Sequence, residues 1–276
     1  MLPESQKLIE KKRLKSLPEL ERPLTVRLKF RKIGSLQYIS HLDLQRTFNR
    51  VIVRACLPVW YTKGFNPHAK LVFSTPLSVG AQSVCEYLDI RIDREMSCEE
   101  IKERLNGELT NELFITDAYI PKNDFSEIAW ASYDMEIYTD GADDEMAKNA
   151  QALLTSSPLM LVKRTKSGEK EVDIIPMISS VSVSFDDERQ TLKIKCVLSA
   201  SSTEYLNPEM LITALKQNLG VMSGNPALEW YTIMRTDLMK KDMSEFKYIN
   251  NKRFYNKYWF HSNIYYRTLF LGTILI

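Results

Sequence analysis

The chain is poor in the residues that build common metal and nucleophile sites. Among 276 residues it has three histidines, four cysteines and nine glycines. The cysteines stand at Cys56, Cys85, Cys98 and Cys196, with gaps of 29, 13 and 98 residues. No C-x-x-C or CxxxCxxC pattern occurs, which excludes a zinc ribbon and a resident iron–sulfur cluster. No glycine run has the form of a phosphate-cradling P-loop. The first 22 residues are charged and lack an apolar run, so no secretory leader is expected and the thiols read as reduced, in the cytoplasm. The apolar end from Thr268 is nine residues, too short to cross a bilayer, and no membrane partner is expected.

Charge is present but unevenly spread. From Arg22 to Lys70 there are ten Lys and Arg against one acid, Asp43, a local balance of +9. The whole chain carries +2, so the remainder sums to −7. A basic module on an acidic body suits polyanion binding, although solvated surface cations give the same count.

Residues 1–22 read as a charged arm or linker. In LTVRLKF, Leu24, Val26, Leu28 and Phe30 share one face, while Arg27, Lys29 and Arg31 share the other with Thr25. That alternation predicts a half-buried strand with a basic second face. Ser40-x-x-Asp43 has the form of a capping box. The following helix has an apolar stripe at Leu44, Phe48, Val51, Ile52 and Ala55, and a second stripe of Arg46, Arg50 and Arg54. Like charges at that spacing repel, so the row suits either solubility or a grip on phosphates. The order β-α-β-β-α-β over 23–122, and its repetition over 130–240, predicts an α+β protein of two tandem ferredoxin-like units with antiparallel sheets. Residues 246–276 have no acid and many aromatics, and fit neither unit. They read as a docking tail or as an accidental extension, and the Asn, Lys, Ile, Tyr and Phe content favours the second.

The candidate chemistry gathers between Ile39 and Asp89. Gly64, Asn66 and Pro67 give GFNPH the composition of a tight turn bearing His68 and preceded by Lys63. His41, Asp43 and His68 resemble a two-histidine, one-carboxylate metal set, but Asp43 is used in the cap and no metal is expected. His41 or His68, with Lys63, is a candidate acid/base. Glu86 shares the apolar face of Val84, Leu88, Ile90 and Ile92, so it needs a partner. His41, Arg46 and Arg50 are the expected ones, as a structural ion pair or as a carboxylate that orients a histidine. No RNP-type aromatic motif accompanies the basic strand face, so contact with a nucleic-acid backbone fits better than base reading.

SHLD at Ser40–Asp43, the Arg46–Arg54 helix, GFNPH at Gly64–His68, PLSVG at Pro76–Gly80 and EYLD at Glu86–Asp89 resemble the radical SAM-associated (radical SAM-linked) domain of unknown function. KSGEKEVDIIPMI at Lys166–Ile178 and the arginine of IMRTDL, Arg235, resemble it as well. This bacterial family occurs alone or at the C-terminus of B12-binding-type radical SAM proteins. The resemblance runs from about residue 24 to 240, omits the tail, and departs at Cys56, where glycine is common. It implies a non-catalytic accessory to a radical SAM protein, with the iron–sulfur cluster and S-adenosylmethionine on that partner and no cofactor here. RNA or an RNA-containing substrate is the expected ligand. Arg27, Lys29, Arg31, Arg46, Arg50, Arg54 and Lys63 would grip phosphates around a centre of Ser40, His41, Asp43, Gly64, Asn66, His68 and Glu86. The alternatives are a metal-independent RNA-processing enzyme using His41 or His68, and a protein-only adaptor.

Overall fold

A computed structural model describes residues 4–165 and 168–247, so the aromatic tail beyond Lys247 lies outside the described residues. The protein is a mixed α+β fold built on one mostly antiparallel sheet. Its first half runs α1 (Glu4–Ser16), β1 (Glu19–Lys32), α2 (His41–Arg54), β2 (Val72–Phe73), β3 (Ala81–Arg94), α3 (Cys98–Asn106) and β4 (Leu113–Tyr119). The second runs β5 (Ile128–Tyr138), α4 (Asp144–Thr155), β6 (Met160–Thr165), β7 (Gly168–Asp173), β8 (Ile178–Asp186), β9 (Thr191–Ser199), α5 (Glu209–Leu219) and β10 (Trp230–Lys240).

The main sheet has the order β4-β1-β3-β10-β5-β9-β8, with β2 also paired to β3, and β6-β7 forms a separate hairpin. The seam is a short parallel pairing of β10 with β3, where Ile233, Met234 and Arg235 face Ala81, Gln82 and Ser83. One sheet therefore runs through both halves. Two apolar clusters flank it: one includes Phe30, Phe48 and Ile90, the other Tyr133, Leu198 and Leu215.

Local chemistry explains α2. Ser40 is its N-cap and accepts from the Asp43 amide at 3.2 Å. Leu44, Phe48, Val51 and Ile52 are buried, with the Phe48 and Phe30 rings edge-on at 5.1 Å. The helix stops because Cys56 turns left-handed, with φ 51°. That conformation normally takes glycine.

Val59 and Tyr61 make only single bridges, Val59 to Ile92 and Tyr61 to Ala69. Between β7 and β8 the chain breaks at a 3-10 turn, Ile175–Met177, because Ile174 is helical and Pro176 has no N–H for a ladder. Phe246, assigned to the tail, is fully buried in the second cluster. Among the described residues no helix is long and apolar enough to cross a membrane.

Candidate functional site

The apolar face of β1 does not end at Phe30. Two residues on, Lys32 takes the same side and is 2 % exposed. On the neighbouring strand Phe30 pairs with Glu86 and, past an irregularity, Lys32 pairs with Ser83. An ammonium and a carboxylate thus emerge at the same end of one buried face. Both line a small cleft under the start of α2, closed by Ser40, His41 and Thr75 and by the apolar Ile39, Leu44, Phe73 and Leu77. Its free volume is about 10 Å³, room for one water.

The partner of Glu86 is not on α2. Arg235, fully buried on β10, brings Nη1 to 3.2 Å from Glu86 Oε1. The guanidinium also donates from Nη1 to Thr75 Oγ1 at 2.6 Å and from Nη2 to the Pro76 carbonyl, and sits 5.7 Å from the Tyr133 ring. The expectation of His41, Arg46 or Arg50 fails because the parallel β3–β10 seam brings a residue from 149 positions away to the strand's other edge. Burial works against the Arg235 charge, but the Glu86 carboxylate prevails and holds the guanidinium more firmly protonated than usual. Lys32 shifts the other way. Burial lowers its pKa, Glu86 opposes that, and Arg235 adds to it. Cys85, under the same cluster, is pushed up to about 12 by burial, which removes thiolate chemistry at neutral pH.

The two histidines have different surroundings. His41 lies at the cleft mouth, its ring edge-on to Phe73 at 4.9 Å. His68 ties the GFNPH turn together, with Nδ1 3.1 Å from the Asn66 carbonyl oxygen and 3.2 Å from Thr62 Oγ1. Gly64 has φ 156° with open space around it. Among the described residues no group of three or more His, Cys, Asp or Glu could hold a metal.

The basic residues also divide. Arg27 is buried, bidentate on Asp89 at 2.7 and 2.8 Å, and bonded to Asn123 Oδ1 at 2.9 Å. The Phe125 ring lies 4.0 Å and the Phe246 ring 5.2 Å from its guanidinium. The sheet face expected to be open at Arg27 is therefore roofed, and Arg27 is not available to a phosphate. Arg54 is paired with Glu108 at 3.0 Å and Arg46 with Asp43 at 3.1 Å. Arg31 bonds the Asn111 carbonyl, and Lys29 lies 5.7 Å over the Tyr87 ring. Arg50 and Lys63 are exposed and have no side-chain partner among the described residues. Beside Lys63, Phe65 at the tip of the turn is fully exposed, and Tyr61 on the same hairpin is half-exposed.

Lys32, Arg235 and Phe65 carry most of what the sequence reading did not assign to a site. Lys32 and Arg235 each break a period-2 apolar face, Lys32 after Phe30 and Arg235 after Tyr231 and Ile233, the same signal that drew attention to Glu86.

The family model described as "Uncharacterized protein conserved in bacteria (DUF2344)" matches residues 25–208. The chain belongs to this family. The matched DUF2344 region contains Lys32, the α2 start and Glu86, whereas Arg235 reaches the cluster from beyond it. No curated protein matches the chain. Among solved structures it is similar to a chain of "Crystal Structure of a Cbf5-Nop10-Gar1 Complex", with TM-score 0.42 and 11% identity over 79% of this chain and 50% of that one. It thus spans half the length of that chain. DyPB from Rhodococcus jostii RHA1 follows with TM-score 0.18 and 10% identity, over 79% of this chain and 94% of that one. Neither likeness is close enough to bear on function.

Proposed function

We propose that this protein is a cytoplasmic, non-catalytic accessory to a radical SAM enzyme that recognises or presents an RNA-containing substrate. The observation that carries the RNA half is the GFNPH turn, a fully exposed Phe65 beside an unpaired Lys63. With half-exposed Tyr61 on the same hairpin, Phe65 offers flat aromatic surface beside a cation. Flanking cations favour an unpaired base on a phosphate backbone over an apolar protein surface. Arg50 is a second exposed cation of this module with no carboxylate partner among the described residues. The radical SAM half rests on the resemblance of SHLD, GFNPH and EYLD. We also read the orders β4-β1-β3-β2 and β10-β5-β9-β8 as two ferredoxin-like units fused through the β3–β10 seam.

The test is RNA affinity measured against salt concentration. Binding should weaken steeply with salt, and Lys63→Ala and Arg50→Ala should each flatten the slope by about one. Phe65→Ala should weaken binding by about 1–3 kcal/mol at every salt concentration. Absence of RNA binding while a cluster-bearing protein co-purifies would leave the protein-only adaptor. A second reading, RNA processing by His41, is favoured by one observation: His41 shares a cleft with Glu86 and Lys32. RNA shortened by the parent and left intact by His41→Ala would establish it.

A further inference from the structure

Among the described residues the main sheet has two outer strands, β4 and β8. An outer strand presents a row of unpaired N–H and C=O groups on which another strand can build. Charged side chains and proline usually blunt such an edge. β8 has neither from Ser179 to Phe185, where SSVSVSF alternates serine with Val181, Val183 and Phe185. High β-propensity without charge is the composition of a strand that pairs with its own kind. An antiparallel copy of it would meet no like charge.

A side chain closes this edge. Gln151, half-buried on α4, donates from Nε2 to the Val181 carbonyl at 3.2 Å and accepts from the Val183 amide on Oε1 at 2.7 Å. Its carboxamide stands where a peptide group of a further strand would stand. The opposite edge of the sheet has the same arrangement. Asn106, the last residue of α3, donates from Nδ2 to the Ile115 carbonyl at 2.9 Å and accepts from the Ile115 amide on Oδ1 at 2.8 Å. Among side chains only a carboxamide sets an N–H donor beside a C=O acceptor as a peptide does. Both amides stand on the helix that packs against the edge strand, α3 on β4 and α4 on β8.

We infer that Gln151 is a latch on a self-pairing edge, and that the partner it keeps out is β8 of a second copy of this chain. Without the latch, the Val181 carbonyl and the Val183 amide are free to bond that copy. A two-fold axis through the edge brings the two strands together antiparallel and closes the pair as a dimer. Asn106 holds β4 shut in the same way, where the strand is shorter and carries Asp117. RNA plays no part in this.

The experiment is hydrogen exchange by NMR on the full chain, paired with molar mass from light scattering over a range of concentrations. In the parent, the outward amides of Val183 and Ile115 should exchange as slowly as those of the inner strand β9. Gln151→Met keeps the stem and removes the carboxamide. In dilute solution it should speed exchange at Val183 by about twofold to tenfold, the loss of one net hydrogen bond. As concentration rises, its mass should climb to twice that of the parent. Ser182, exposed on the same strand, supplies the control. Gln151→Met/Ser182→Lys puts a charge on the edge and should return the mass to the parent value. A parent in which Val183 exchanges as a free amide overturns the inference, whether or not the variants fold. So does a Gln151→Met chain whose mass matches the parent at every concentration, or one whose association survives Ser182→Lys.

Discussion

Arg235→Met tests whether the β3–β10 seam is held by the buried charge pair. The guanidinium is fully buried, faces Glu86 at 3.2 Å and satisfies Thr75 and Pro76. Methionine keeps much of the stem volume but removes the charge and every donor. Glu86 then remains 5 % exposed with no paired cation, and the Pro76 carbonyl loses its donor. Removing one member of a buried pair costs about 3–5 kcal/mol. In a cooperative unit of this size each kcal/mol lowers Tm by about 2–4 °C, so the expected fall is about 6–20 °C. The control is Glu86→Leu/Arg235→Met, which removes both charges. Pairs replaced together by apolar groups are often neutral, so the double variant should be more stable than Arg235→Met alone. Urea unfolding followed by circular dichroism gives the double-mutant cycle. A loss below about 1 kcal/mol in Arg235→Met, or a double variant that loses the sum of both singles, would refute the pair as a unit.

Other outcomes follow from single residues. Burial lowers the Lys32 pKa below its ordinary 10.5, so between the lowered value and 10.5 the unfolded chain binds more protons and stability rises with pH. Lys32→Met should abolish that alkaline rise, read as Tm against pH; an unchanged profile would count against burial of the charge. Phe48→Ala empties the centre of the α2–β1 contact and should cost about 3–5 kcal/mol in urea unfolding. Cys56→Gly should be better tolerated than Cys56→Val by about 1 kcal/mol or more, because φ 51° penalises a β-branched side chain even where valine suits the buried site. Equal stability of the two would mean that packing, not backbone geometry, decides that position.

What the sequence disclosed was local, and what it concealed was carried by distant chain. The Ser40 cap and the stripe from Leu44 to Ala55 depend on spacing within one helix, and both are present. The alternation of β1 was equally legible over Leu24–Phe30. Its continuation to Lys32 is not, because Gly34 and Ser35 follow closely with the composition of a turn and a lysine at a strand end reads as solvent-facing. The fate of Arg27 was beyond reach for a different reason. Its neighbours are Asp89, Asn123, Phe125 and Phe246, between 62 and 219 residues away. No periodicity in β1 distinguishes an arginine facing solvent from one beneath such a roof.

The same distinction orders the candidate site. A cation reads alike in sequence whether it serves the fold or a ligand, and only its partners separate the two. Arg27, Arg46 and Arg54 are each met by a carboxylate of the chain itself. Their charge is compensated before any polyanion arrives. Arg50 and Lys63 are uncompensated at the surface, where water satisfies them and only the field is on offer. Lys32 is the exceptional case, buried like Arg27 yet without a carboxylate in contact. Water serves an exposed lysine at little cost, whereas a 10 Å³ cleft admits one molecule at most. Lys32 is therefore held by the Gln37 carbonyl and by the field of Glu86 across the cleft, and its charge serves the fold before it serves any polyanion.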